Sequence, residues 1–242
     1  MSEQLAPLHL RATLIADGTS DRSLIYVLNW IISQHTNASS LIVEDVKIVY
    51  FDRLIEPPKT LVDRMQKACE LEPCDILFVH RDAEKPTGEV ARSRRVQLTH
   101  ATRIEEIEQA FEEYKTKETE ISRVPRLICV VPVRMMEAWL LCDEQAIRKA
   151  SGNPKGQASI RLPSIKKLET IPDPKIELHT LIKTASGLQG RRLKQLNVYH
   201  AENQVAQFIN DFSMLRGLYA FGQLETAIKT MLESISIIDQ TF

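Results

Sequence analysis

Four carboxylates at the ends of two apolar runs are the groups in this chain best placed to do chemistry. Asp17 and Asp21 follow Leu14-Ile15-Ala16 across a turn at Gly18 and Thr19-Ser20. Asp82 and Glu84 follow Ile76-Leu77-Phe78-Val79-His80-Arg81 at alternate positions. A carboxylate at the C-terminal tip of a strand, beside a glycine turn, is a common way to present a metal ligand. If the two tips lie side by side, the four acids converge on one or two divalent cations. Such ions stabilise the attacking and leaving oxygens of an in-line phosphoryl displacement. Carboxylates clustered without a cation would repel one another. Taken singly, each acid also has a plain structural reading. Ser20 and Asp21 are both good helix N-caps, and Asp82 and Glu84 suit a solvated loop.

The elements that must position these acids follow from periodicity. Leu10–Ala16 reads as a strand and residues 21–34 as a helix, with Leu24, Leu28, Ile31 and Ile32 at helical spacing. Val43–Phe51 reads as a second strand, and Pro57-Pro58 opens a helix over residues 59–70. Cys74–Val79 is a third strand, residues 80–103 a polar loop, residues 104–117 an acid-rich helix and Leu127–Val133 a fourth strand. A short helix then starts at Arg134. This alternation predicts an α/β fold, with a mainly parallel sheet flanked by helices on both faces. Residues 1–150 form this α/β domain. Residues 151–242 carry an irregular Pro/Gly-rich excursion and then two or three helices. They read as a helical C-terminal extension packed on the core.

Composition narrows the function classes. At 242 residues, 43% hydrophobic and 26% charged, the chain is ordinary for a globular protein with a sizeable core. A net charge of −1 excludes bulk attraction to nucleic acid but leaves local basic patches open. Cys69, Cys74, Cys129 and Cys142 form no CxxC pair, and their apolar surroundings suggest reduced thiols and a cytoplasmic protein. No apolar stretch approaches the ~20 residues of a membrane helix, and the polar N-terminus does not read as a signal peptide. Phosphate-loop and nucleophile-elbow motifs are absent, so the chain is not expected to hydrolyse ATP itself. The histidines at 9, 35, 100, 179 and 200 have no zinc-like spacing and read as ordinary residues.

The order acid-Gly-x-x-Asp after the first strand, then x-Asp-x-acid after a later one, resembles the Toprim domain of topoisomerases, primases and the overcoming-lysogenization-defect nucleases. Pro132-Val133-Arg134-Met135-Met136-Glu137-Ala138-Trp139-Leu140-Leu141-Cys142-Asp143 is similar to a stretch of small stand-alone Toprim-like proteins encoded beside ATPases, often in anti-phage defence loci. The likeness spans residues 10 to about 145. It implies a Toprim-like α/β fold, Mg²⁺ or Mn²⁺ as cofactor, a nucleic-acid substrate and a partner ATPase. Catalytic roles fall to Asp17 and Asp82, with Asp21 and Glu84 as further metal ligands. His80 and Glu137 are possible additional site residues. The chain departs from the family at two places. Asp17 stands where the family has glutamate, and His80 stands where its Asp-x-Asp motif begins; histidine suits Mn²⁺ better than Mg²⁺.

Glu137 has two readings of equal weight: a member of the acidic site, or half of a local helix pair with Arg134. Trp139, among Ala138, Leu140 and Leu141, reads as core. Arg81, Lys85, Arg92, Arg94, Arg95 and Arg103 make one basic run, and Arg191, Arg192 and Lys194 a second. Either suits phosphate-backbone contact without sequence preference, or plain solvation. The expectation is a metal-dependent Toprim-like nuclease that cleaves DNA or RNA as the effector of an ATPase in anti-phage defence. The alternative is a catalytically degenerate Toprim-like scaffold of a defence or repair complex. Oligomerisation is open.

Overall fold

The computed structural model describes residues 6–16, 18–36, 40–83, 92–118 and 124–239. Within them the six strands β1 (Leu8–Leu10), β2 (Ala12–Ile15), β3 (Leu41–Val43), β4 (Lys47–Val49), β5 (Ile76–His80) and β6 (Arg126–Val130) pair in parallel. The larger sheet has the order β4-β2-β5-β6, and β1 pairs with β3 alone. The expected strand over Leu10–Ala16 is thus two strands broken at Arg11. The Arg11 backbone explains the break. Its N–H donates to the Asp75 carboxylate at 2.8 Å, and its carbonyl accepts from the backbone N–H groups of Asp75 and Ile76 at 2.9 and 3.1 Å. The chain therefore changes partner there, leaving β3 and joining β5. The expected strand over Val43–Phe51 divides in the same way, where Val46 N–H turns aside to the Asn29 side chain at 2.9 Å.

Side chains of the sheet alternate between two cores, as a strand period of two requires. Ala12, Leu14, Ile76, Phe78, Ile128 and Val130 face one. Ile15, Leu77 and Val79 face the other. The second core is closed by α2 (Leu61–Leu71) and α3 (Arg92–Lys117), through Val62, Met65 and Ala68 and through Ile107, Phe111 and Tyr114. Helix α2 starts later than Pro57-Pro58 suggests. Thr60 caps it, accepting from Asp63 N–H at 3.1 Å while the Asp63 carboxylate accepts from Thr60 N–H at 3.3 Å. Helix α3 starts earlier than expected, so Arg92, Arg94, Arg95 and Arg103 lie on a helix and not in a loop. Its acids Glu105, Glu106, Glu108, Glu112 and Glu113 are exposed, forming a solvated face with ion pairs such as Lys117–Glu113 at 2.8 Å.

The first core is larger and runs from the sheet into the C-terminal segment. It takes α1 (Leu24–His35), α4 (Glu137–Leu140), α5 (Glu144–Ala150), α6 (Pro174–Ser186), α8 (Val198–Phe208) and α9 (Tyr219–Asp239). The short α7 (Gly190–Lys194) buries nothing. Helix α1 buries Leu24, Val27, Leu28, Ile31 and Ile32, a clean 3.6-residue stripe. Helix α9 buries Phe221, Leu224, Ile228, Leu232 and Ile235. Trp139 is 1% exposed and meets Phe221 edge-on at 5.4 Å, while Trp30 meets Phe212 at 5.8 Å. The extension is therefore continuous with the α/β core through aromatic contacts. Among the described residues no helix is long and apolar enough to cross a membrane.

Truncating Trp139 to alanine removes the side chain that joins α4 to α9. The expected loss is about 3–5 kcal/mol, read from the urea midpoint at unchanged slope.

Candidate active site

Strands β2 and β5 are direct neighbours in register, Ile15 opposite Val79. That adjacency decides the site, because the loops leaving the two tips carry the acids. After β2 the chain turns at Gly18 into a 3₁₀ helix over Thr19–Ser23. Asp21 ties that turn together: its Oδ2 accepts from Gly18 N–H at 2.8 Å. This is the capping role that a single-residue reading allows, and Asp21 also faces the neighbouring tip. Its Oδ2 lies 3.7 Å from Nε2 of His80, and Asp82 Oδ1 lies 3.6 Å from the same nitrogen. Asp17 and Glu84 lie outside the described residues.

His80 is fully buried, and its ring orientation is set from behind. Nδ1 sits 2.9 Å from the Val130 carbonyl on β6. A carbonyl only accepts, so Nδ1 carries the proton. Nε2 then points at two carboxylates and has no partner at hydrogen-bond geometry. A lone pair facing two anions is repulsive. Either a second ring proton or a cation among the three groups removes that repulsion. Two ligands of one cation, each bonded at about 2.1 Å, can stand at most about 4.2 Å apart, and both separations fall inside that span. A buried imidazole held through its other nitrogen by a carbonyl is also how metal-binding histidines are oriented. In kind the residues fit a divalent ion that accepts nitrogen. Among the described residues no three His, Cys, Asp or Glu side chains form a group placed to hold a metal ion.

A second polar cluster adjoins the first. Glu137, 2% exposed, is paired with Lys175 Nζ at 2.7 Å and not with Arg134. The local helix pair is thus corrected. Arg134 precedes the helix at φ 66°, a left-handed conformation that costs a non-glycine residue about 1–2 kcal/mol. Its guanidinium donates to the Pro172 carbonyl at 3.3 Å, just ahead of α6. That contact seats the helix carrying Lys175. Burial alone would lower the Lys175 pKa, but the hydrogen bond and charge of Glu137, with Glu202 and Asp21, raise it above the usual lysine value.

Glu202 on α8 completes the cluster, 3.9 Å from Lys175 Nζ and 2.6 Å from His179 Nε2. Burial, then the charge of Glu137, pushes its carboxyl up to about 8. Burial, then the charge of Lys175, holds His179 below the usual imidazole value. Both shifts disfavour the charged forms of the two groups, which stand 2.6 Å apart. Sequence reasoning missed Glu202, Lys175 and His179. One signal was available: Glu202 falls on the same helical stripe as the buried Ala201, Val205 and Ala206. An acid on an apolar stripe is a group the fold must accommodate.

The basic residues are less convergent. Arg81 is half-buried beside His80, and its N–H donates to the Val130 carbonyl at 3.2 Å. Arg191, Arg192 and Lys194 are exposed on α7. Lys85 lies outside the described residues, as do the side chains of Arg92, Arg94 and Arg95.

The Glu202 shift fixes a sign. Between about pH 4.5 and 8 folded Glu202 binds more proton than it does in the unfolded chain. Raising the pH therefore draws the equilibrium toward the unfolded state, by at most about 1.4 kcal/mol per pH unit. Stability of the parent should fall across this window relative to Glu202→Gln, compared by urea unfolding at each pH. Parallel curves would remove the neutral-acid assignment.

Comparison with known proteins finds no curated protein and no solved structure that matches. One family model does match, described as "Domain of unknown function (DUF4276)", over residues 19–204. The match takes in Asp21, His80, Asp82, Glu137, Lys175, His179 and Glu202, so both clusters lie within the shared unit. The chain belongs to the DUF4276 family.

Proposed function

We propose that this chain is a divalent-metal-dependent phosphodiesterase, a nuclease of the Toprim-like type acting on DNA or RNA. The observation that carries the reading is His80 Nε2, bare of a hydrogen-bond partner and facing the Asp21 and Asp82 carboxylates across two adjacent strand tips. His80, Asp21 and Asp82 would hold the ion; the resemblance adds Asp17 and Glu84 to the set, and these lie outside the described residues. A bound divalent cation would supply Lewis-acid polarisation of the phosphodiester and a nucleophile at neutral pH. The nitrogen ligand favours Mn²⁺ over Mg²⁺.

The remaining roles belong to the protein. The Val130 carbonyl keeps the His80 ring in the tautomer that presents Nε2. The Gly18 N–H keeps Asp21 Oδ2 turned toward it. Lys175 balances the buried Glu137 charge next to the site, which limits repulsion of an approaching phosphate. The exposed Arg191, Arg192 and Lys194 suit backbone contact independent of base sequence. Control by a partner ATPase in anti-phage defence rests on the resemblance of the Pro132–Asp143 stretch to Toprim-like proteins found beside ATPases, and a cytoplasmic setting rests on the cysteines, which form no CxxC pair.

One observation favours a second reading. His80 stands where the related motif has an acid, and a second ring proton would turn the three groups into a closed ion cluster. The chain would then be a Toprim-like binding module without catalysis. Calorimetric titration with Mn²⁺ separates the two. The nuclease reading expects binding to the parent, its loss in His80→Ala and Asp82→Ala, and oligonucleotide cleavage at least about 100-fold slower in Asp82→Ala. A parent that neither binds Mn²⁺ nor cuts single- or double-stranded oligonucleotides is the binding module.

A further inference from the structure

The sheet has a second chemically distinct end. Cys69, on the last turn of α2, and Cys74, two residues before β5, line one cavity of about 480 Å³ together with Tyr114, Arg11 and Asp75. Their side chains are neighbours in that cavity, five residues apart across the turn that ends α2. Cys69 is half-buried and Cys74 buried, and both are reduced. The turn between them is held at both sides: Glu72 N–H donates to the Ala68 carbonyl at 2.8 Å, and Thr13 Oγ1 donates to the Glu72 carbonyl at 3.2 Å. The Tyr114 hydroxyl is buried beside Cys69 in the same cavity. The arrangement is two adjacent thiols and a buried O–H group at a cavity.

We propose that Cys69 and Cys74 form a peroxide-reactive dithiol, with Cys69 attacking and Cys74 resolving. The Cys69 thiolate attacks one oxygen of hydrogen peroxide. An S–O bond forms, the O–O bond breaks, and the departing hydroxide takes a proton to become water. The Cys74 sulfur then attacks the Cys69 sulfenic sulfur. The S–S bond forms, the S–OH bond breaks, and the hydroxide leaves as water with the Cys74 proton. In sum two thiols are oxidised by two electrons and one peroxide is reduced to two waters.

The order of attack follows from the surroundings. The hydrogen bond from Cys74 holds the Cys69 thiol below its usual value, against an opposing effect of burial. The same contact, then burial, raises Cys74. Burial, then the Cys69 thiol beside it, keeps the Tyr114 phenol above its usual value, so it remains protonated next to the attacking sulfur. The other two thiols lack this setting. Burial pushes Cys129 and Cys142 up to about 12 each. Reactivity tracks thiolate character and access, so oxidation should be selective. Six residues of β5 and its approach, roughly 3.3 Å each, separate Cys74 from His80 by about 20 Å, so the modification does not touch the candidate active site directly.

Trypsin cuts after Lys67 and after Arg81, which places both cysteines on one peptide. The folded full-length chain is treated with hydrogen peroxide, blocked with N-ethylmaleimide, digested and weighed. The expected product is that peptide two hydrogens lighter and unalkylated, with Cys129 and Cys142 still alkylated. Cys69 should lose its thiol at least about tenfold faster than Cys129. In Cys74→Ser, Cys69 should stop at a sulfenic acid that dimedone traps. Full alkylation of both residues after peroxide, or oxidation no faster than at Cys129 and Cys142, overturns the proposal from the parent chain alone.

Discussion

The parallel pairing of β2 with β5 is the constraint on which the rest of this structure depends. Both strands are buried on both faces, so their register is held by two cores at once. A shift of one residue would exchange the faces of Leu14 and Ile15, and of Phe78 and Val79. With that register held, the two chains leave the sheet at the same level, and Asp21 and Asp82 have no choice but to face His80. Parallel strands also end on the same side of the sheet, which is why ligands of such folds gather beyond the carboxyl ends. The opposite ends of the same strands bring Arg11 against Asp75 and Cys69 against Cys74.

The C-terminal helices do more than cover a face of the sheet. They bring Lys175, His179 and Glu202 up to Glu137, and so build a buried polar cluster from α4, α6 and α8 beside the strand tips. Burying two carboxylates together is costly unless their charge is reduced. Here one is paired with a lysine, and burial pushes the carboxyl of the other up to about 8. The large aromatic contacts around Trp139 and Phe221 hold the helices that carry this cluster. The left-handed turn at Arg134 is a local strain that the Pro172 contact accompanies, and strained backbone beside a polar cluster is characteristic of functional regions.

Much of the scaffold was legible along the chain because its signals are local. The stripe Leu24, Leu28, Ile31, Ile32 and the apolar runs around Leu14 and Phe78 state their elements through periodicity. Element boundaries were less legible, since they depend on partners. The break at Arg11 comes from Asp75, which is 64 residues away. Helix α3 begins twelve residues before the reading at residue 104, because a polar, arginine-rich start carries no apolar stripe.

Residue order along the chain is enough to specify two acid-tipped strands, helices alternating with them, and an apolar C-terminal segment that must pack against something. These are consequences of residue type and spacing within a few positions. Long-range packing makes β2 and β5 neighbours, turns His80 by the Val130 carbonyl toward two carboxylates, and pairs Glu137 with Lys175. Those facts are set by contacts between residues tens of positions apart. Their energies come from burial and charge in a low-dielectric interior, and no local pattern of residues encodes them.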